Sequence, residues 1–410
     1  MEAGEPACGP QCLFTWGANS YGQLGRGGQQ DQSEPGAVAG EEAAAPRGLV
    51  GAVGGGGHSA LLTAAGELWV CGQNHRGQLG LGHTSDVLTF QLCPGPAGRV
   101  VRQVACGWDF TLLLMEGGVV YSCGSNVFGQ LGVPGLPGHG TQPRHVQSLC
   151  EEVTGVAAGL RHSMAVTGSG RVYQWGTGLA SEARRALHPD PVPAHLSAKE
   201  PSVVPGLEHV TAVAVAAGSS HCVCLAAGGA VLLWGSNRHG QLGAPLAGPF
   251  LSRPRSLDRA TLGGGAVVAV WSGWTHLVAK TESGRVFTWG RADYGQLGRP
   301  TTANGSPGPG SHDVPGELRH RSAETAVEVK GLSAATQIAC GSEHSLAIVG
   351  EQLLSWGWNE HGMCGDGTEE DVIRPQPIPA LLRARPLLIG CGAGHSMALC
   401  EVREEVTGKP

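Results

Sequence analysis

Six histidines occupy the same local setting along this 410-residue chain, each closing a Gly-x-x-His run: His58, His162, His221, His276, His344 and His395. A seventh copy, Gly107 to Phe110, has phenylalanine in the histidine place. Recurrent imidazoles suit metal ligation, acid–base work or hydrogen bonding. Each of the six stands in a separate repeat, and no cysteine or carboxylate recurs beside them at metal-ligand spacing. The expectation is a structural one, hydrogen bonds between loops or between repeats, with no metal and no cofactor.

Loops of these repeats also carry larger and charged groups. Trp108, Trp274 and Trp358 lie beside glycines rather than inside strand patches. A large ring on a loop either packs over its neighbours or anchors a partner. Asp109, Arg161, Glu343 and Glu360 are solvated charges or parts of a charged rim. Trp108, Asp109, Arg161, Trp274, His276, Glu343, His344, Trp358 and His395 are the candidate partner-binding face. Gly54 to Gly57 suggests a phosphate cradle, but no Lys-Ser/Thr follows, so a turn or close packing is the better reading. Cys8-x-x-x-Cys12 and Cys222-x-Cys224 lack the second ligand pair of a zinc site.

The elements that place these loops follow from a second half-motif, first seen as Trp16-Gly17-Ala-Asn19-Ser-Tyr-Gly22-Gln-Leu-Gly25, with variants at Gly72, Gly124, Gly176, Gly235, Gly290 and Gly357. Thirteen residues separate the end of Gly-x-x-His from the residue before the next such glycine in five cases, and twelve in one. So constant a spacing is a hairpin. Gly66, Gly118, Gly170, Gly229, Gly284 and Gly350 sit near its middle, where a tight turn needs positive φ. Flanking runs such as Val286-Phe287-Thr288-Trp289 read as buried strands.

The chain opens on one half-motif and ends on the other. His395 therefore lacks a downstream partner, and Trp16 supplies it if the strand at Ser396 to Cys400 pairs with Leu13 to Gly17. That pairing removes both exposed edges. The expected fold is all-β, a seven-bladed β-propeller closed by its N- and C-terminal strands and spanning 13–400. A disordered N-terminus at 1–12 and a tail at 401–410 flank it. Two long stretches rich in Pro, Gly or Ser, 180–205 and 299–330, are expected to be disordered or functional loops.

Composition agrees with many short strands and tight turns: 68 glycines, 26 prolines and 41% hydrophobic residues. The net charge is −6 and only Lys199, Lys280, Lys330 and Lys409 are lysines, so no basic face exists for nucleic acid or an anionic membrane. No apolar run is long enough to span a bilayer, and the first ten residues lack a signal-peptide pattern. We expect a soluble protein of the cytoplasm, with the nucleus also open. Its thirteen cysteines, mostly in apolar patches, read as reduced small hydrophobes.

From about Leu13 to Cys400 the chain resembles the regulator of chromosome condensation family. Four segments are similar to the branch whose exchange factors regulate secretion: Gln103 to Thr111, Trp271 to His276, Phe287 to Gly298 and Ser355 to Gly365. The resemblance implies a guanine nucleotide exchange factor or regulator of a small GTPase in protein secretion. In the founding member acidic residues of the second and third loops and histidines of the fifth and seventh do this work. His276 and His395 match that pattern; Asp109 is displaced by one position, and the third loop offers Leu160-Arg161 instead of acid. The founding member's protruding wedge and basic tail have no counterpart here. Exchange on the nuclear-transport GTPase and chromatin binding are therefore not expected. The alternative is a non-catalytic scaffold for exocyst-type vesicle-tethering proteins. A propeller hydrolase or lyase is disfavoured, since no loop set supplies a paired acid and base.

Overall fold

The computed structural model describes residues 9–39, 45–96, 99–243, 248–301 and 322–402. They form seven four-stranded antiparallel sheets. We number the blades one to seven in chain order: 49–93, 101–145, 153–203, 212–256, 267–328, 335–377, and 384–402 with 11–37. Blade one shows the pattern, with strands Leu49–Gly54, His58–Thr63, Leu68–Gly72 and Val87–Cys93 running from the axis outward. The second and third strands meet through the expected hairpin, and its glycine has positive φ in every copy, +81° at Gly66 and +76° at Gly118.

Blade seven is built from both chain ends. Strand Gln11–Gly17 pairs antiparallel with His395–Val402, with Leu13 opposite Leu399 and Gly17 opposite His395. The closing strands thus reach further than the sequence reading allowed. Gln11 and Cys12, placed in a disordered terminus, are strand residues, and so are Glu401 and Val402. Residues 1–8 and 403–410 lie outside the described residues.

The core is divided among seven clusters, each lying between two adjacent blades. One joins Leu13, Met397 and Leu399 of blade seven to Leu49, Leu61 and Phe90 of blade one. A lone blade would leave both its apolar faces wet, so closure completes the core as well as the sheet. Trp16, Trp175, Trp234, Trp289 and Trp356 are fully buried in these seams, with Cys71 and Cys123 in the two remaining copies of that place.

The stretch 180–205, expected to be a disordered or functional loop, is ordered. It carries an α-helix, Ala180–Leu187, a short turn of 3₁₀-helix at Ala194–Leu196 and a strand, Ser202–Val203. Leu179, Ala183 and Leu196 are fully buried against blade four, and Leu179 and Ala183 share a helix face. Of 299–330, the end forms the outer strand of blade five, Ser322–Glu328, and 302–321 lies outside the described residues. No helix among the described residues is long and apolar enough to cross a membrane.

Candidate functional site

The Gly-x-x-His loops stand together at one end of the axis, around the mouth of a central cavity of about 260 Å³ lined by residues from all seven blades. Their geometry explains the motif. A Cβ on Gly55 would lie 2.2 Å from the His58 ring, and at Gly159, Gly218, Gly273, Gly341 and Gly392 the same clash arises with His162, His221, His276, His344 and His395. Glycine is required because the imidazole lies flat against its Cα. The run Gly54 to Gly57 is accounted for in the same way, since Cβ atoms there would strike Gly392, His58, Trp108 and Tyr21.

All six histidines are fully buried. Five reach a hydroxyl of the next blade through Nε2: His58 to Thr111 at 2.9 Å, His221 to Ser272 at 2.8 Å, His276 to Ser345 at 3.0 Å, His344 to Ser396 at 2.9 Å and His395 to Ser59 at 2.7 Å. The proton assignment follows from the hydroxyls. Ser59 Oγ donates its only hydrogen to the Gln23 carbonyl, Thr111 to Gln78 and Ser396 to Met363, so each imidazole must donate through Nε2. Burial lowers the ring pKa values to about 3 at His58, His221 and His344, and to about 4 at His162, His276 and His395. These are neutral posts between blades, as the sequence reading expected.

Burial also corrects the candidate face. His276, His344 and His395 lie beneath it, out of direct reach of a partner. Glu343 is covered as well. Its oxygens accept from Thr275 Oγ1 at 2.6 and 2.7 Å and from Gln296 Nε2 at 2.9 Å, and burial raises its pKa to about 7.

The residues that do face outward fall into two groups. Trp108 of blade two and Trp274 of blade five meet across the cavity mouth, ring centroids 5.4 Å apart and planes at 55°. Trp108 is 40% exposed and Trp274 half-buried. Arg161 is exposed, its guanidinium 4.6 Å from the centre of the Phe128 ring and close enough to Asp109 to act on its carboxyl. Asp109 is half-buried; burial raises its pKa, against His75, Arg76 and Arg161, which pull it down. Trp358 belongs to the second group on blades five to seven, 6.2 Å from Tyr294 and 5.7 Å from His361. His361 in turn bonds Asp31 at 2.8 Å, and Glu360 is exposed nearby in sequence. Reading single tryptophans missed Tyr294, which stands in the same strand-end motif as Trp358, one blade earlier. Among the described residues no cluster of histidine, cysteine and acid groups is placed to hold a metal.

Residues 12–398 match the model of the RCC1-like domain. This chain belongs to the RCC1-like domain family. It is 51% identical to the secretion-regulating guanine nucleotide exchange factor of Mus musculus, over 98% of this chain and 86% of that protein. The Bos taurus protein of the same name is 50% identical, over 95% and 83% respectively. Among solved RCC1-like structures, Prp20p of Saccharomyces cerevisiae, described with its binding to Gsp1p and histones, superimposes with a TM-score of 0.77. It covers 97% of this chain and 93% of its own at 23% identity, which bears on the fold alone.

Proposed function

We propose that this RCC1-like chain is a guanine nucleotide exchange factor for a small GTPase of protein secretion, and that it takes the GTPase on the Gly-x-x-His face. The carrying observation is 51% identity across nearly the whole chain to a mouse protein of that name. Exchange needs no nucleophile, metal or cofactor. The factor must hold the nucleotide-poor conformation of the GTPase more tightly than the nucleotide-bound one, which is catalysis by differential binding.

The face suits that task. A closed ring presents its loops on a preorganised frame, so little ordering is lost on docking. Trp108 and Trp274 offer a central aromatic anchor, and Asp109 and Arg161 add opposite charges. The buried histidines and Glu343 position these loops from below.

The test is release of a fluorescent guanine nucleotide from a panel of small GTPases. Release should accelerate on at least one of them, and Trp108→Ala should slow it at least about tenfold while leaving the melting transition in place. If no GTPase responds, the exchange reading fails and the non-catalytic scaffold for exocyst-type tethering proteins takes its place. If exchange is unchanged in the variant, the GTPase docks elsewhere on the ring.

A further inference from the structure

The strand pair that closes the ring brings two thiols face to face. Cys12 and Cys400 come from opposite ends of the chain and are direct partners in the register of Gln11–Gly17 with His395–Val402. Directly opposed residues of an antiparallel pair project to the same side of the sheet. Two residues along, the Val402 amide donates to the Pro10 carbonyl at 3.1 Å, so positions 12 and 400 fall in the hydrogen-bonded phase of the ladder. Such pairs hold their Cα atoms about 5.5 Å apart, within the range of roughly 4.4–6.8 Å that a disulfide spans, while their Cβ atoms stand about 5.5 Å apart, so the two strands must draw in by about 1 Å to form the bond. Both thiols are free; Cys12 is half-buried at the ring's edge, and Cys400 is buried behind it with Trp16 and Ala398.

We propose that Cys12 and Cys400 are an oxidation site, at which a low-molecular-weight disulfide such as oxidised glutathione converts the ring closure from a hydrogen-bonded pair into a covalent one. The accessible Cys12 thiolate attacks one sulfur of the oxidant and releases one thiol. Cys400 then gives up its proton and attacks the Cys12 sulfur of the mixed disulfide, releasing the second. Two protein thiols lose two electrons and two protons, and the oxidant leaves as two thiols. Other buried thiols of the ring are a poorer route: Cys71, Cys222 and Cys364 lie inside the seams, where an oxidant must first open a blade.

The consequence is specific to this seam. Every other blade is continuous in the chain, whereas blade seven is held only by pairing between its two ends. A cross-link here stops the ring from opening and removes the large loop-closure entropy that the unfolded chain otherwise gains.

The test uses the whole chain with Cys150→Ser, which removes the exposed thiol among the described residues. Equilibration with oxidised and reduced glutathione, followed by alkylation and peptide mass analysis, should yield a linked pair of peptides containing Cys12 and Cys400. The melting temperature should rise by about 5 °C, and reduction should reverse both changes. Cys12→Ser should melt like the reduced chain and ignore the oxidant. Free Cys12 and Cys400 after equilibration, linkage of either to another cysteine, or an equal rise in melting temperature in Cys12→Ser would overturn the proposal.

Discussion

The seams from blade four round through blades five, six, seven and one to blade two differ from the two seams that flank blade three. In the first set an imidazole of one blade is hydrogen-bonded through Nε2 to a hydroxyl of the next at every junction. The loops above are also joined in sequence by main-chain bonds: Ser219 to Trp274, Trp274 to Ser342, Ser342 to Ala393, Ala393 to Gly55 and Gly56 to Trp108. Between blades two and three neither link exists among the described residues. Phe110 replaces the imidazole and packs with Leu112, Val156, Ala165 and Trp175. The Gln103 amide spans the gap, donating to the Val156 carbonyl at 3.0 Å and accepting from its amide at 3.1 Å, and the Gln337 amide spans blades six and seven in the same way beside their imidazole bond.

Between blades three and four the main-chain link is kept, Leu160 N–H donating to the Gly218 carbonyl at 3.3 Å, and the imidazole is present but its partner is not. Cys222 stands where the next blade would offer a hydroxyl, and neither ring nitrogen of His162 is hydrogen-bonded. The His221 main chain lies near enough to oppose the burial shift slightly, without hydrogen-bonding geometry. Blade three also lacks the Gly-Gln-Leu-Gly loop. The Gln174 side chain takes over its carbonyl's role toward Trp234 Nε1 at 2.7 Å, and the helix Ala180–Leu187 fills the space. The same repeat is therefore held either by a directional bond or by shape. The first demands one residue type at each end, and the second tolerates exchange as long as volume is kept.

Acid should expose this contrast most strongly. As pH falls through about 6.5 the unfolded chain protonates all six repeat histidines, while the folded rings stay neutral down to about 4 or 3. Stability is thus greatest above 6.5 and declines as pH drops, by up to about 1.4 kcal/mol per pH unit for each ring. Glu343 acts in the opposite sense between about 4.5 and 7, because the folded state keeps its proton longer, but it is one group against six. Denaturant midpoints measured from pH 7.5 to 5 should fall steeply. Hydrogen exchange at pH 5 should spare the seam at Phe110 longest, and equal fraying at all seams would contradict the division.

Phe110→Ala should cost about 3–5 kcal/mol by denaturant unfolding, since a fully buried ring leaves a cavity. A cost below about 1 kcal/mol would mean that this seam is not held by shape. A matched pair of hydroxyl deletions comes next. Ser396→Ala strips His344 of its acceptor and should cost about 1–3 kcal/mol. Ser163→Ala, at the seam without an imidazole, should cost less than about 1 kcal/mol, because the Gln130 carbonyl still accepts from Trp175 Nε1 at 2.8 Å. Equal costs would show that the imidazole bond adds nothing. The smallest effect is a gain: Cys222→Ser should give His162 an acceptor and stabilise the ring by about 1 kcal/mol, read as a raised denaturant midpoint.

Much of this architecture could be read from counting. The hairpin of constant length, its positive-φ glycine and the orphan half-motifs at the two ends led to seven blades and to the pairing of Leu13 with the last strand, which the register confirms. These signals are local or periodic, so each copy repeats the same statement. The structural role of the histidines was legible for the same reason, and Phe110 was visible as a departure.

What the sequence did not contain is which residues of different blades meet. Trp108 and Trp274 touch although two blades lie between theirs, because only the closed ring brings their loops to one mouth. His276, His344, His395 and Glu343 could be placed in the right loops but not beneath them, since depth depends on what the neighbouring blade lays on top. The helix at 180–187 was hidden for a related reason: its few apolar residues make a stable face only against blade four. The sequence alone determined the repeat, its number and its closure, because those are set by chain-local geometry. The tertiary structure decided burial, the imidazole partners and the exposed aromatic pair, because those are set by contacts across seams that no single repeat contains.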